Sequence, residues 1–437
     1  MQENVLFDRI TLVTPGADGQ VTVRQEAWIA VKDGRIACVA PDRTSAEGAL
    51  EGTDYVLYPG RDRLLLPTFA NTHNHMAMSL LRNAADDLAL HNWLFDVIFP
   101  REEKLDYGLV ATGSRLALAE MIRSGTGASA DMYFYHEAAI EAALEAGFRL
   151  NFSVDAKRPD PSGAAVPDER ILSEQIRRWR SEPLLRVSLL VHSVYLYPQA
   201  VYPQLAAMAA GQGCTVQIHV AETAREVREC LQQYGRRPAA QLARFGFFQT
   251  PTLAAHCVHL DDEERAILAR PSVYVAHCPA SNLKLGSGMA DIVALQEAGA
   301  TVVLGTDGPA SNNNLDMYHD MRLASLLGKG LHRAAALLPA ATMLKMATQD
   351  GCAALGYADS GLIAAGWQAD LQVVRTDSPG FNPPANPVNA LLYSAAAADV
   401  ESLMVAGQWL MYKRALQTLD EEKTRFEAEQ AAARLAP

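Results

Sequence analysis

The sequence lacks the features that define several large protein classes. Its six cysteines are scattered and form no CxxC pair, which is typical of free thiols in a reducing compartment and not of a disulfide framework. No run of about 18 uncharged apolar residues is present, so no membrane-spanning helix is expected. Basic residues are outnumbered by acidic ones, 38 to 50, and a net charge of -12 disfavours nucleic acid and anionic membranes as partners.

The amino terminus, MQENVLFDRI, has neither the basic start nor the continuous apolar run of a secretory signal. Together with the free thiols, this predicts a cytoplasmic protein. The 437 residues, 49% of them hydrophobic, suffice for a large core and more than one folding unit. A homo-oligomer is left open by the sequence.

Both ends of the chain are rich in short β-prone runs. Residues 27–31 and 35–40 are joined at Asp33-Gly34, which is a strong hairpin signal. Similar runs return at residues 370–374 and 403–409. We therefore expect one small β-sandwich domain built from both termini, residues 1–64 and 362–437, which ends in a solvated helix after about Asp420.

Between these ends, apolar strands alternate with helical stretches. Residues 109–123 and 136–146 are the clearest helices, and Gly147 is the expected end of the second. This alternation over residues 65–361 favours an α/β fold, a (β/α)8 TIM-like barrel, with a doubly wound open sheet as the alternative. The eight strand candidates are residues 64–72, 127–134, 149–154, 186–192, 215–220, 252–256, 273–277 and 301–306.

Side chains that can bind metal or carry protons follow these strands. In a barrel, the carboxyl ends of the strands meet at one face, where catalytic residues gather. A surface histidine pair, a core histidine or a helix-capping aspartate would each explain one member, but not the whole set. The residues concerned are His73, His75, His192, His219, His256, His277 and Asp307.

Four of them form a plausible zinc site. His73 and His75 are two residues apart at a strand end, so both imidazoles can face one point, and His219 and Asp307 end two further strands. Three imidazoles and one carboxylate leave a position for water, whose pKa zinc lowers from about 15.7 to near 7.

Two neighbours of this site can handle protons. Glu222, three residues after His219, is positioned to carry a proton to a ring nitrogen or a leaving group. His256 can polarise the attacking water or stabilise negative charge, and Asp307 can accept the proton of the water. These residues predict a hydrolase with one Zn²⁺ per subunit.

With these residues identified, the chain resembles the amidohydrolase superfamily, and within it the S-adenosylhomocysteine / 5′-methylthioadenosine deaminases. The terminal β segments are similar to the small domain of that family. The resemblance is carried by NTHNHMAMSLLRNAADDLALHNWLFDVIFPREEKL, HVAETAREV, AAHCVHL, VAHCPASNLKLGSG and LGTDGPASNNNLDM.

The resemblance implies roles for residues that no pattern singles out. It implies that Trp93 is an aromatic of the substrate pocket, that Glu102 holds the ribose hydroxyls and that His192 contacts the purine. It also repeats the metal ligands His73, His75, His219 and Asp307, and the catalytic residues Glu222 and His256. Binuclear relatives place a bridging lysine at the end of strand four; here His192 stands there, which implies a mononuclear site.

The loop after strand three departs from the pattern of the family. Relatives that accept S-adenosylhomocysteine have arginines there, apparently for the amino-acid carboxylate. Arg158, Lys157 and Arg170 are the candidates in this chain, with Arg158 chosen as the substrate-binding residue. Whether a homocysteine tail or only a methylthio group is accepted stays open.

The function expected from the sequence is hydrolytic deamination of an adenine nucleoside with a 5′-thioether or related 5′ group, namely 5′-methylthioadenosine, S-adenosylhomocysteine or adenosine. The alternative within the superfamily is a deaminase of a free base or other heterocycle of the guanine, cytosine or triazine type. A cytidine-deaminase-type zinc enzyme is rejected because the HxE and PCxxC elements are absent. A metal-free scaffold is the remaining alternative from another class, since a fold alone does not establish activity.

Overall fold

The structure is a computed structural model that describes residues 3–16, 20–159 and 165–436. Its strands are, in chain order, β1 (Val5–Pro15), β2 (Val21–Lys32), β3 (Arg35–Ala40), β4 (Val56–Pro59), β5 (Arg63–Pro67), β6 (Phe69–Asn71), β7 (Thr126–Asp131), β8 (Arg149–Val154), β9 (Lys157–Pro159), β10 (Ala165–Pro167), β11 (Leu185–Leu190), β12 (Thr215–Val220), β13 (Thr252–His256), β14 (Val273–His277), β15 (Thr301–Leu304), β16 (Leu371–Arg375), β17 (Val400–Val405), β18 (Gln408–Tyr412) and β19 (Ala415–Leu416).

Helices fill most of the intervals between the strands. The α-helices are α1 (Arg43–Gly48), α2 (Leu90–Asn92), α3 (Phe99–Glu102), α4 (Tyr107–Arg123), α5 (His136–Ala146), α6 (Glu169–Trp179), α7 (Val201–Gln212), α8 (Ala224–Tyr234), α9 (Pro238–Phe245), α10 (Asp262–Leu268), α11 (Pro279–Lys284), α12 (Ile292–Glu297), α13 (Met317–His332), α14 (Ala340–Ala347), α15 (Gln349–Ala354), α16 (Pro387–Tyr393) and α17 (Glu421–Arg434). A π-helix, Trp93–Ile98, joins α2 to α3, and 3₁₀ turns cover Met76–Leu81, Pro379–Phe381 and Ala397–Asp399.

Eight parallel strands form the predicted barrel, in the order β6-β7-β8-β11-β12-β13-β14-β15. The first and last strands meet, because the Thr72 N–H donates to the Leu304 carbonyl at 3.0 Å and the Asp307 N–H donates to the His73 carbonyl at 2.9 Å. Strands such as β7 and β8 are buried at every residue, as expected for parallel strands covered on both faces. The (β/α)8 prediction is confirmed.

The two ends of the chain build a second, mixed sheet. Its order is β19-β18-β17-β16-β5-β1-β2-β3, with β4 paired to β1. The predicted hairpin at Asp33-Gly34 joins β2 to β3, and Asp420 caps the predicted terminal helix α17 by accepting from the Lys423 N–H. The sheet is consistent with the small sandwich domain that the sequence predicts.

Two predicted strands differ from the observed ones. The apolar run of residues 64–72 is divided at Pro67-Thr68: β5 pairs with β1 and β16 in the terminal sheet, whereas β6 pairs with β7 in the barrel. Residues 403–409 cross a turn between β17 and β18, where Ala406 and Gly407 adopt left-handed conformations (φ 47° and 76°). Each run reads as one β-prone segment, and the pairing of its two halves depends on distant partner strands that a local pattern does not specify.

The two sheets are joined by buried polar contacts as well as by apolar packing. Arg149 of β8 and Asp370, which precedes β16, form an ion pair in which both side chains are at most 3% exposed. Among the described residues, no helix has the length and apolar character needed to cross a bilayer.

Candidate metal centre and substrate cavity

The structure gathers the predicted metal ligands at the carboxyl ends of the barrel strands. His73 and His75 follow β6, His219 lies near the end of β12, and Asp307 comes three residues after β15. The ligand nitrogens of the three histidines lie within 4.8 Å of one another. Asp307 Oδ1 lies 3.3 Å from His73 Nε2 and 3.2 Å from His75 Nε2. The four side chains therefore surround a single point.

The hydrogen bonds of two imidazoles leave their Nε2 atoms facing the centre. The Nδ1 atoms of His75 and His219 lie 2.6 Å from the Met132 carbonyl and 2.7 Å from the His192 carbonyl, so each Nδ1–H donates there and each Nε2 is left as a ligand. His73 Nε2 is buried and, apart from its 3.3 Å contact with Asp307 Oδ1, makes no hydrogen bond to any described residue. Burial lowers the pKa of His219 well below its usual value, which keeps this imidazole neutral. The site therefore fits one divalent cation such as zinc.

The second oxygen of Asp307 is fixed by two hydroxyl groups. Ser281 Oγ and Ser311 Oγ donate to Oδ2 at 2.6 and 2.7 Å. These bonds direct Oδ1 towards His73 and His75. Outer hydrogen bonds of this kind orient the ligands of a metal site.

Glu222 lies beside the centre in a closed environment. It is 6% exposed, accepts a hydrogen bond from Ser287 Oγ at 3.1 Å and lies 3.8 Å from His256 Nε2. Burial raises the pKa of Glu222, so its protonated form is more accessible than that of an exposed glutamate. The backbone N–H groups of Ala221 and Glu222 donate to the buried Glu226 carboxylate, each at 2.9 Å, which holds the loop.

His256 is oriented by an amide side chain. Its Nδ1–H donates to Asn282 Oδ1 at 2.8 Å, so Nε2 faces Glu222 and the metal ligands. The ring centroids of His256 and His219 are 5.4 Å apart.

The backbone is strained where three of these strands end. His256, Asp307 and Ala221 have φ values of 71°, 62° and 48°, in the left-handed region that side chains with a Cβ seldom adopt. Such conformations persist where the surrounding structure enforces them, and they collect at functional sites.

A cavity of about 770 Å³ opens above the centre. Trp93, Glu102 and His192 line it together with Glu222 and His256, so these predicted residues share one space. Tyr133 Oη donates to Glu102 Oε1 at 2.7 Å. Burial raises the pKa of Glu102 to about 7, although the bond from Tyr133 opposes the shift.

Two candidates are not brought to this cavity. Arg158 is exposed, and its Nε donates to Asp168 Oδ2 at 3.2 Å, because Asp168 caps α6 and lies beside the arginine. His277 is buried at the end of β14 and does not line the cavity. Residues 160–164 of the loop after strand three lie outside the described residues.

Sequence patterns missed the residues that support the site. Tyr133, Ser281, Asn282 and Ser287 each contact a predicted residue far away in the chain. Three of them lie in the segment VAHCPASNLKLGSG, which carries part of the family resemblance, but no spacing rule connects them to their partners.

A centre of this kind, at the carboxyl end of a barrel and with a buried glutamate beside it, defines the class of hydrolases that use a metal ion to activate water. The family model described as "Amidohydrolase family" matches residues 64–410, and the chain belongs to this family. It is thus an aminohydrolase-type enzyme of a family that is typically metal-dependent.

Three similar proteins are named as deaminases. A protein of Dictyoglomus thermophilum named 5-methylthioadenosine/S-adenosylhomocysteine deaminase is 42% identical over 88% of this chain and 90% of its own length. The 5′-deoxyadenosine deaminase of Methanothermobacter thermautotrophicus is 38% identical over 93% and 94% of the two chains. The crystal structure of an adenosine deaminase from Xanthomonas campestris with bound zinc matches with a TM-score of 0.91 and 32% identity, over 99% and 98%.

Proposed function

We propose that this protein is a zinc-dependent deaminase that hydrolyses the 6-amino group of an adenine nucleoside with a 5′-thioether or related 5′ group. The products are the inosine analogue and ammonia. One observation carries the proposal: His73, His75, His219 and Asp307 surround one point on the floor of a cavity that Glu222 and His256 also face. Relatives named as deaminases of 5-methylthioadenosine, S-adenosylhomocysteine and 5′-deoxyadenosine support the choice of substrate.

The metal would be held by His73, His75, His219 and Asp307, one ion per chain. Bound there, zinc supplies a water molecule whose pKa is near 7 and which is therefore a nucleophile at neutral pH. The absence of any lysine among the residues that line the cavity within the described ranges supports a mononuclear site.

Glu222 is assigned the proton transfers. Its raised pKa allows it to donate a proton to N1 of the purine and to collect one from the attacking water. Protonation of N1 makes C6 more electrophilic. The proton that Asp307 accepts from the attacking water passes to the 6-amino group, which leaves as ammonia with the electrons of the C6–N bond. The second proton of that water returns to Glu222 as the C6 carbonyl forms. Ser287 fixes one carboxylate oxygen, so the other is free to face the substrate.

His256 and Asp307 are assigned to the attacking oxygen. Asn282 keeps the Nδ1 proton of His256 engaged, which directs Nε2 towards the centre. His256 stabilises negative charge that develops on the oxygen, and Asp307 accepts its proton. Serine hydroxyls hold Asp307 in place during this transfer.

The remaining polar residues of the cavity are assigned to the nucleoside. Glu102, held by Tyr133, accepts hydrogen bonds from the ribose hydroxyls, His192 contacts the purine, and Trp93 packs against the substrate. Within the part of the chain that the structure describes, the buried Trp93 Nε1–H has no hydrogen-bond acceptor, so it is available as a donor to a ligand. Arg158 lies outside the cavity, so we assign it no contact with the nucleoside.

An ammonia-release assay with zinc-loaded protein tests this function. We expect turnover of adenosine, 5′-methylthioadenosine and 5′-deoxyadenosine, and much weaker turnover of free adenine, guanine, cytosine and an aminotriazine, because a free base leaves Glu102 without its ribose partner. Turnover of a free base in preference to every nucleoside would contradict the proposal and favour the free-base alternative.

The composition of the chain and the proposed activity also bear on its cell compartment and its partners. We propose a cytoplasmic enzyme whose partner is a small purine nucleoside, with neither nucleic acid nor a membrane involved. The six cysteines are free thiols in the structure, as a reducing compartment would allow.

A further inference from the structure

The cavity carries acidic charge that no basic side chain balances. Five carboxylates line it, and among the described residues no lysine or arginine does. Residues 160–164, which complete the nearby loop, read DPSGA and add no basic residue to the sequence. The carboxylates are those of Glu102, Glu103, Asp155, Glu222 and Asp307.

Lys157, in the loop beside the cavity, already has an acidic partner. Lys157 Nζ forms an ion pair with Asp155 and lies 4.1 Å from the centroid of the Tyr197 ring, and the lysine side chain is only 6% exposed. Asp155 and Tyr197 both line the cavity, whereas Lys157 does not. A cation held by a carboxylate and an aromatic face is a poor partner for a second anion.

The arginines of the same loop are also paired with an acidic side chain. Arg158 and Arg170 both pair with the Asp168 carboxylate, at 3.2 and 2.7 Å, and both are exposed. Neither guanidinium lines the cavity. His136, which does line it, is kept neutral because burial lowers its pKa.

The wall that remains is apolar and aromatic. Phe134, Tyr135, Tyr195 and Leu196 line the cavity along with Tyr197. A cavity of this size encloses most of a nucleoside, so a short 5′ group would lie inside it. Thioether sulfur and methyl groups make favourable contacts with aromatic rings, whereas a carboxylate would find no lysine or arginine among the described residues that line the cavity.

We infer that this site selects adenine nucleosides whose 5′ group is uncharged, such as a methylthio group, and discriminates against tails that end in a carboxylate. The inference rests on the proposed function and decides between the 5′ tails that the sequence leaves open. The pair of Asp155 and Lys157 is the specificity-determining element, because Asp155 lines the cavity and engages Lys157, the lysine of the loop after strand three.

An isosteric pair of substrates separates charge from size. We would compare kcat/KM for adenosines with a 5′-(2-carbamoylethylthio) or a 5′-(2-carboxyethylthio) group, with 5′-methylthioadenosine as the reference. The amide should be preferred to the acid by at least about 100-fold. Equal values for amide and acid would overturn the inference, as would exclusion of both, which would show that size decides. No ammonia from 5′-methylthioadenosine itself would instead refute the proposed function.

Substitution of Asp155 tests the mechanism of selection. Asp155→Asn removes one negative charge and releases Lys157, so the acid-to-amide ratio of kcat/KM should rise by about 10-fold. In Asp155→Asn combined with Lys157→Met, that gain should disappear. Asp377→Asn, which makes the same change in an exposed ion pair with Arg375, is the matched control and should leave the ratio unchanged. An unchanged ratio in Asp155→Asn would exclude the pair as the specificity element.

Discussion

The two carboxylate oxygens of Asp307 have different surroundings, which gives each oxygen its own function in the site. Oδ1 lies next to His73 and His75, whereas Oδ2 accepts from Ser281 and Ser311. One oxygen is therefore available to a metal while the other fixes the rotamer. The Glu222 carboxylate, in contrast, accepts a hydrogen bond from Ser287 and lies 3.8 Å from His256 Nε2, which suits a residue that moves protons.

Substitution of these two carboxylates should separate metal binding from proton transfer. Glu222→Gln should retain zinc and lose about 100-fold to 10,000-fold in kcat, because the amide cannot carry the proton. Asp307→Ala should lose both zinc and activity, because it removes a ligand. Zinc content by elemental analysis and kcat by ammonia release measure the two effects. Activity close to that of the parent enzyme in Glu222→Gln would be incompatible with the mechanism.

At the scale of elements, strand ends and the short turns after them build the centre. Gly305 follows β15 and passes so close to His73 that a Cβ atom at this glycine would lie 2.8 Å from the His73 nitrogen and 2.9 Å from its Cβ. A glycine is therefore required for β15 to approach the first histidine. The distance between two ligands of the metal depends on this backbone contact.

Gly305→Ala should weaken zinc binding by pushing β15 away from His73. Measurement of zinc affinity by competition with a chelator would detect the loss. Gly211→Ala is the matched control: it lies within α7, a Cβ there meets nothing within 4 Å, and alanine should stabilise the helix by roughly 0.5–1 kcal/mol. Zinc affinity in Gly305→Ala equal to that in the control would show that the close approach is not needed.

Strands and metal ligands could be predicted from the sequence where the pattern that marks them lies within a short stretch of the chain. The HxH pair and the buried strands before His219 and Asp307 are short-range patterns, and the structure places all of these side chains together. Roles read from resemblance, such as those of Trp93 and Glu102, have no local signal, yet both residues line the cavity. The division of residues 64–72 between two sheets and the hydrogen bond that His256 donates to Asn282 depend on distant partners, which no periodicity encodes.

The assignment of residues 65–361 to a catalytic unit, and of 1–64 and 362–437 to a composite β domain, remains our proposal. It is supported by the separation of the two sheets in strand order, although β5 (Arg63–Pro67), which crosses the boundary at residue 64, pairs throughout with the terminal sheet.

At the scale of the whole molecule, a buried ion pair ties the barrel to the terminal sheet. Arg149 Nε and Nη2 donate to the two oxygens of Asp370 at 2.7 and 3.1 Å, and Ser360 and the Ala406 N–H donate to the same carboxylate. The Asp370 carboxylate thus accepts four hydrogen bonds, and removal of one partner of the ion pair would leave an unpaired buried charge.

Arg149→Met should therefore lower the free energy of unfolding by about 3–5 kcal/mol in urea denaturation. Replacement of both partners, Arg149→Met with Asp370→Leu, should recover part of the loss because no isolated charge remains. Arg35→Met, which breaks an exposed pair with Asp359, is the control and should cost less than about 1 kcal/mol. A loss in Arg149→Met as small as in the control would show that the pair does not connect the two sheets energetically.

The central claim is that one metal ion at His73, His75, His219 and Asp307 supports deamination of an adenine nucleoside, and a zinc titration of the apoprotein tests it most directly. Protein stripped with a chelator would receive zinc in steps while ammonia release from 5′-methylthioadenosine is followed. We expect no ammonia release without metal, and a rate that rises linearly with added zinc and stops rising at one zinc per chain. Activity in the metal-free protein, or a rise that continues to two zinc ions per chain, would contradict it.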